Sequence, residues 1–525
     1  MSLIGCADPS TGDGDPTGDG DSTGDGDPTG DGDGDPTGDG DGDSTGDGDS
    51  IGDGVPYRAA GVLWAEVGRI RLALYDNESG WDDPIDVNLP EHHWIDSALR
   101  AVAAIEDTGV TVLWDHNVTG PTQVWARRYN QDLGWESPVE IDPSTPFRFV
   151  GDIIALPDGQ TLAIWRQSQT LDNGTYTVTY SCRDQNVWGP VVATDKYGIE
   201  VRSRQDGTLV VFDVDGPATQ IVAQVFDQGG GSEWCSQPLG GPTPLNPTIS
   251  SPRMVKVEDQ GGPLIHAVWR ADDSKQVEAA HFDPETLTWS TPTLLPSMVN
   301  YPVPGGGATI LAAEDAASNA WVVSNDVSTA NMRLHVHRFD AELGTWSDTL
   351  LLDEPDHELS NPALAVTPDD DVFVAAQINE TGVDGMREII GFAWDHTDQS
   401  WSEPIALGIT NESYSDTLVE IEPVSGDVFV TWTHDDDVHL TQLDARTQIW
   451  SERVFPTAFD QHSVRYLHVL GDGEVLLILQ DTTFDFPNST STITALVHDA
   501  AGWGPTATLV SNARVTAVRP FAAQH

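Results

Sequence analysis

Five aromatic–polar pairs recur at matching places in this chain: Trp114-Asp115, Trp165-Arg166, Phe212-Asp213, Trp269-Arg270, and Trp432 with His434 two residues on. Each ends a short apolar run such as VTVLWDHN or TLAIWRQS. An aromatic ring stacks on the C–H face of a sugar while a neighbouring carboxylate or guanidinium bonds its hydroxyls. The same rings would serve equally as packing between neighbouring elements. If the runs occupy equivalent strands of a repeated unit, the pairs form a ring near one face.

Other chemistry is weaker. His335 and His337, in LHVHRF, share one side of a strand at i, i+2. The sequence offers them no clear third ligand, so ordinary strand histidines are expected and no metal. EHHW (Glu91–Trp94) reads as a loop with as little support. There is no Gly-rich phosphate loop, no Gly-x-Ser-x-Gly and no catalytic cysteine context. A glycosidase needs two facing carboxylates, but so many acids are present that sequence does not discriminate between pairs.

The elements that position these residues follow from one repeated line. YDNESGWDDPIDV at Tyr75 recurs as YNQDLGWESPVEI, FDPETLTWSTPTLLP, FDAELGTWSDTLLL, WDHTDQSWSEPIAL, LDARTQIWSERVF and HDAAGWGPTATLV. Two weaker copies surround Trp188 and Trp234. The motif tryptophans are Trp81, Trp135, Trp188, Trp234, Trp289, Trp346, Trp401, Trp450 and Trp503, spaced by 46 to 57 residues. That period suits propeller blades. Each repeat holds short β-branched and aromatic runs entered through Asp-Gly or Gly-Asp turns, with no helical periodicity. Four antiparallel strands per repeat describe a blade. Asp or Asn ending strand three starts a turn, and the Trp opens strand four with its ring expected over that turn. Pro follows in seven of nine copies, and Pro belongs on an edge strand. The first repeat, from AAGVLWAEV, lacks an innermost strand, and the final ARVTAVRPFA is left over to complete it. The reading is one all-β propeller over residues 55–525 with about nine blades, eight plus an irregular repeat being the alternative.

Composition narrows the partners. The chain carries 84 acidic and 24 basic residues, a net charge of −60. The first 57 residues hold 16 acids and no Lys or Arg, so the rest carries 84 − 16 = 68 acids against 24 bases, or −44. Such a surface repels phosphate backbones, and nucleic acid is not expected as a partner. No run approaches the roughly 20 apolar residues of a membrane span. Residues 7–54 repeat GDGDPTG and GDGDST units with almost no apolar side chains. Nothing there offsets ordering entropy, so this is a self-repelling linker of roughly 40 Å. Its Asp-Gly-Asp spacing allows weak, diffuse calcium binding. A defined EF-hand loop needs a glutamate, and the linker has none; no cofactor is expected.

Two resemblances add to this. LIGC, ending at Cys6, resembles the bacterial lipobox, although only Met1 and Ser2 precede it. It implies an exported lipoprotein whose contact with a membrane is an N-terminal lipid anchor at residues 1–6. Cys182 and Cys235 would then be an even pair, either a disulfide or two separate thiols. The repeated line resembles a degenerate Asp-box of sialidase-like propellers, with FDAELGTW (339–346) nearest to it. The resemblance implies the fold. A sialidase would also need an arginine trio and a Tyr–Glu pair; the nearest arginine line, FRFV (Phe147–Val150), lies in the third repeat and lacks the family's Pro. The expected function is non-enzymatic binding of a glycan or protein partner at the cell surface. A sialidase-like hydrolase or lyase, or a scaffold without a small ligand, are the alternatives.

Overall fold

The repeated line folds as its residue types dictate. In this computed structural model the acid ending strand three bonds its own backbone. Asp76 Oδ1 accepts from the Ser79 N–H at 2.8 Å, Asp340 Oδ1 from Leu343 at 2.9 Å and Asp444 Oδ1 from Thr447 at 2.7 Å. Asn130 takes the same role towards Leu133 at 3.1 Å. Four residues after the acid the backbone turns left-handed: Gly80 (φ 79°), Gly134 (φ 74°) and Gly344 (φ 64°), but also Leu287 (φ 54°) and Gln399 (φ 51°). The tryptophan follows one or two residues later, which is why the acid-to-Trp spacing varies.

The ring goes somewhere other than expected. It lies against the residue before the acid, its register partner on strand three, rather than over the turn. Tyr75–Trp81, Phe282–Trp289, Phe339–Trp346 and Trp394–Trp401 have centroids 5.3, 5.2, 5.3 and 5.5 Å apart. The same ring also reaches the preceding repeat. Trp289 meets Phe212 at 5.9 Å, Trp346 meets His266 at 6.1 Å, Trp401 meets Trp321 at 5.8 Å, Trp450 meets Phe373 at 5.8 Å and Trp503 meets Phe429 at 6.2 Å. Where the third copy has Arg183 in place of the aromatic, an ion-pair network makes the link. Arg183 lies 3.5 Å from Glu106 and 3.4 Å from Glu136 of the preceding repeat.

Proline shapes the outer strand. After Trp81, Trp135, Trp289, Trp401 and Trp503 the strand breaks around Pro84, Pro138, Pro292, Pro404 and Pro505, then resumes. The copies lacking Pro run unbroken, as Thr345–Glu354 and Ile449–Phe455. A residue without an N–H interrupts the ladder at that point.

The structure describes most of residues 58–522. Residues 1–57, 523–525 and a set of inter-strand segments, the longest being 89–100, 227–242 and 299–309, lie outside it. The chain divides into Met1–Asp53 and Gly54–His525. Among the described residues of the second unit the strands form nine antiparallel sheets, numbered along the chain: I (58–86 with 515–522), II (101–142), III (147–193), IV (199–244), V (252–298), VI (310–354), VII (357–410), VIII (418–455) and IX (462–513). In II to IX, four consecutive strands run from an inner to an outer position. In sheet I the inner strand is Val515–Ala522, which pairs with Arg58–Glu66 in the register Trp64↔Val518. Inner strands alternate: those of III, V, VII and IX are bulged, and those of II, IV, VI and VIII have an unshifted register.

The core lies between sheets, not within them. Leu63, Leu72 and Val112 join I to II; Leu113 and Ala163 join II to III; Val323 and Val374 join VI to VII; Phe429 and Leu477 join VIII to IX. Leu476 and Ile478 of IX pack with Ala60, Val62 and Ala73 of I. Stacked four-stranded sheets with apolar faces turned to both neighbours are a β-propeller arrangement.

Two predictions follow from this geometry. A left-handed non-glycine residue costs roughly 1–2 kcal/mol, while glycine's extra chain entropy costs about 0.5–1 kcal/mol. Leu287→Gly should therefore stabilise by up to about 1 kcal/mol, and Gly344→Ala should destabilise by about 1 kcal/mol, read as denaturant midpoints at constant slope. Secondly, burial pushes the His266 imidazole down to about 3, helped by the neighbouring His281. It stays neutral in the fold while the unfolded chain takes up a proton near pH 6.5. This stability is complete above pH 6.5 and is lost as pH falls from there towards 3. The acid-side loss should be smaller in His266→Phe than in the parent; equal slopes would refute the assignment.

Candidate functional site

The strand-two rings are buried. Trp114, Trp165 and Trp269 are 0% exposed, Trp432 1% and Phe212 2%. Trp114 packs between I and II, Trp165 between II and III, Trp269 between IV and V, and Trp432 between VII and VIII. Register places these four at one level of their sheets and pointing towards the preceding sheet. Each opposes a strand-three residue four positions before the one that precedes the turn acid or Asn, which is Tyr129, Arg183, Phe282 or Leu443. Trp64, opposite Arg71, is a fifth member that the sequence reading missed. The aromatic–polar pattern passes over it because Ala65 follows.

Phe212 is not a member. It pairs with Ala223 and packs with Ile265 and Phe282 of the following sheet, so it belongs to the row that meets the motif tryptophans. Asp115 and Arg270, adjacent in sequence to ladder tryptophans, point to the opposite face and are buried as well. His434 is half-buried with its ring 5.6 Å from that of His439. The side chains of Arg166, Asp213 and Cys182 lie outside the described residues, as do Cys6 and Cys235 entirely.

Accessible chemistry lies one strand further out. Beside the buried ladder, strand three carries a row of half-buried polar or aromatic side chains: Arg71 opposite Trp64, Trp125 opposite Trp114, Glu278 opposite Trp269, and His439 opposite Trp432. The ladder holds them in place. Arg71 sits 5.8 Å from the Trp64 ring centroid and bonds Asp86 at 3.1 Å. The Trp269 indole N–H donates to Glu278 at 3.0 Å. Trp432 stacks on His439 at 5.6 Å and 16°, and His439 Nδ1 lies 2.9 Å from Glu452. Trp125 Nε1 donates to Gln123 at 3.4 Å. Rings beside acceptors and donors suit C–H faces and hydroxyls. No sequence signal singled out this row, because finding it requires the strand register.

Sheets IV, VII and IX place Asp213, Ala376 and Leu479 at the ladder position, and sheet VI departs in a different way. The ladder position there is Ser324, fully buried, opposite His335. His335 and His337 both direct Nδ1 to Asp348 Oδ1 at 3.0 Å. Asp348 stands on the outer strand opposite His337 and is the third ligand-type group that the sequence did not reveal. Burial pushes the His337 imidazole down. Burial would raise Asp348, but bonding to the two histidines outweighs it and holds the carboxyl below its ordinary value. Separately, desolvation pushes the Asp481 carboxyl, near the end of strand two in sheet IX, up to about 6.

No family model and no curated protein matches the chain. Solved structures similar to it include the Dos1 propeller, at 10% identity over 72% of this chain and 88% of that one, TM-score 0.43. Another is the polysaccharide lyase Uly1, at 10% identity over 89% of this chain and 100% of that one, TM-score 0.42. A third is the β-propeller domain of the Trilobed protease from Pyrococcus furiosus, at 10% identity over 70% and 98%, TM-score 0.37.

Gly408 of sheet VII shows how closely the ladder is packed. A Cβ there would meet Trp432 Cζ2 at 2.3 Å, and the Trp432 indole donates to the Ile409 carbonyl at 3.0 Å. Gly408→Ala should cost about 1–3 kcal/mol in denaturant stability and displace His439. An unchanged midpoint would mean that Trp432 is not tightly packed against Gly408 at the interface between VII and VIII.

Proposed function

We propose that this chain is a non-enzymatic β-propeller that binds a glycan through the grooves between its blades. The observation that carries the reading is the strand-three row of Arg71, Trp125, Glu278 and His439, half-buried, each set against a buried indole of the same sheet. Preorganised rings with polar groups at their edges need little reordering when a sugar docks. The strand-two residues named from sequence act in this reading as the support beneath the row.

The proposal extends to the architecture. Nine blades form a ring whose first blade is completed by Val515–Ala522; the pairing of that strand with Arg58–Glu66 and the apolar contacts between sheets IX and I support closure. Export, lipidation at Cys6 and a linker over residues 7–54 complete it, resting on LIGC and the Gly/Asp repeats. The charge of −60 argues against nucleic acid as a partner.

The test is a screen of the full chain against neutral and acidic polysaccharides, alongside Trp125→Ala and His439→Ala. Saturable binding weakened about ten-fold or more by either variant, with the thermal midpoint unchanged, supports the groove. A ligand bound equally well by parent and both variants moves the site elsewhere. If no glycan binds, the sugar reading fails and protein partners replace it.

A further inference from the structure

We propose that His335, His337 and Asp348 form a binding site for one divalent transition-metal ion of the zinc class, independent of the glycan reading. Sheets I, II, III, V and VIII fill the ladder position with an indole, whereas IV, VI, VII and IX carry Asp213, Ser324, Ala376 and Leu479; Ser324 faces His335, while Ala376 and Leu479 face Ile390 and Thr494. In sheet VII apolar neighbours pack around Ala376, whereas sheet VI sets two imidazoles and a carboxylate beside Ser324.

The donors suit the ion. His335 and His337 stand two apart on one strand, with rings 5.8 Å apart and only 8° from parallel. Asp348 is brought to them by the neighbouring strand, in register with His337. Its Oδ1 lies 3.0 Å from both Nδ1 atoms, and all three donor atoms fall within 4.8 Å of one another. Bonds of about 2.0–2.2 Å in a tetrahedron place ligand atoms roughly 3.3 Å apart. Asp348, with 31% of its side chain exposed, is the member able to adjust. Two imidazoles with one carboxylate favour zinc, cobalt, nickel or copper over calcium and magnesium, which take oxygen ligands. On the buried side, Ser324 Oγ lies 3.4 Å from His337 Nε2, a second contact that orients the ring. On the exposed side, three protein ligands leave a fourth position for water or an incoming donor.

Sheet VIII is the built-in control. His439 and Glu452 correspond to His335 and Asp348, with His439 Nδ1 and Glu452 Oε1 2.9 Å apart. Thr441 stands where His337 would be, and Trp432 fills the place of Ser324. That sheet has two donors, and sheet VI has three. The competing account is a carboxylate that simply bonds both histidines.

The test uses the metal-stripped full chain, titrated with zinc by calorimetry in excess calcium so that the acidic linker is masked. One site per chain is expected, weakened at least about ten-fold in Asp348→Asn and His337→Thr and unchanged in Glu452→Gln. Zinc should raise the thermal midpoint of the parent and leave that of Asp348→Asn in place. Cobalt should give the visible absorption of a four-coordinate ion in the parent alone. Equal zinc affinity in parent and Asp348→Asn, or no zinc-dependent midpoint shift in the parent, overturns the proposal. If His337→Thr fails to fold, the half-exposed Asp348→Asn variant decides.

Discussion

The structure depends on one contact made repeatedly: a tryptophan returning from a turn meets the strand-three residue beside it and an aromatic on strand two of the sheet before. A four-stranded sheet cannot bury its two faces alone, so each must be held against its neighbours. The returning tryptophan does this from the outer edge, where a blade would otherwise splay. Each aromatic pair adds about 0.5–1.5 kcal/mol beyond the area it buries. The turn supplies the aim. An acid accepting backbone N–H groups and a left-handed residue fix where the chain re-enters the sheet, and a one-residue change of loop length is absorbed without moving the ring.

A second layer of indoles faces the other way. Trp64, Trp114, Trp165, Trp269 and Trp432 point to the preceding sheet, while the row of His266, Trp321, Phe373 and Phe429 points to the following one. Strand alternation puts them on opposite faces. The ladder is thus used for packing, and its exposed chemistry is displaced to the strand-three partner. Close packing makes the ladder intolerant: Gly408 has no side chain because Trp432 occupies the space it would need. Where the indole is missing the outcome differs by sheet: apolar residues pack around Ala376 and Leu479, while two histidines and an aspartate gather beside Ser324.

Much of this was legible in the chain. The period, the four-strand unit, the turn acid and the partner of Val515–Ala522 follow from residue types at fixed spacing. So does the broken outer strand, since proline lacks the donor that a ladder needs. The aromatic ladder was legible as a set of runs, but its membership was not: Phe212 sits one register step from Trp269's level, and one step in a strand reverses the face. Trp64 escaped notice because the apolar Ala65 follows it, so it does not read as an aromatic–polar pair.

Residue order therefore carries the local grammar: which residues turn, which pair, and which strand forms an edge. These depend on interactions between residues a few positions apart. Tertiary structure alone decided which faces are wet. Trp114 and Trp125 are both tryptophans on adjacent strands of one sheet and pair directly. One is fully buried and the other half-exposed, because burial depends on how the next sheet leans against the first. The trio of His335, His337 and Asp348 was hidden for the same reason. Two of its members are neighbours in sequence, and the third arrives only when the outer strand folds back in register beside them.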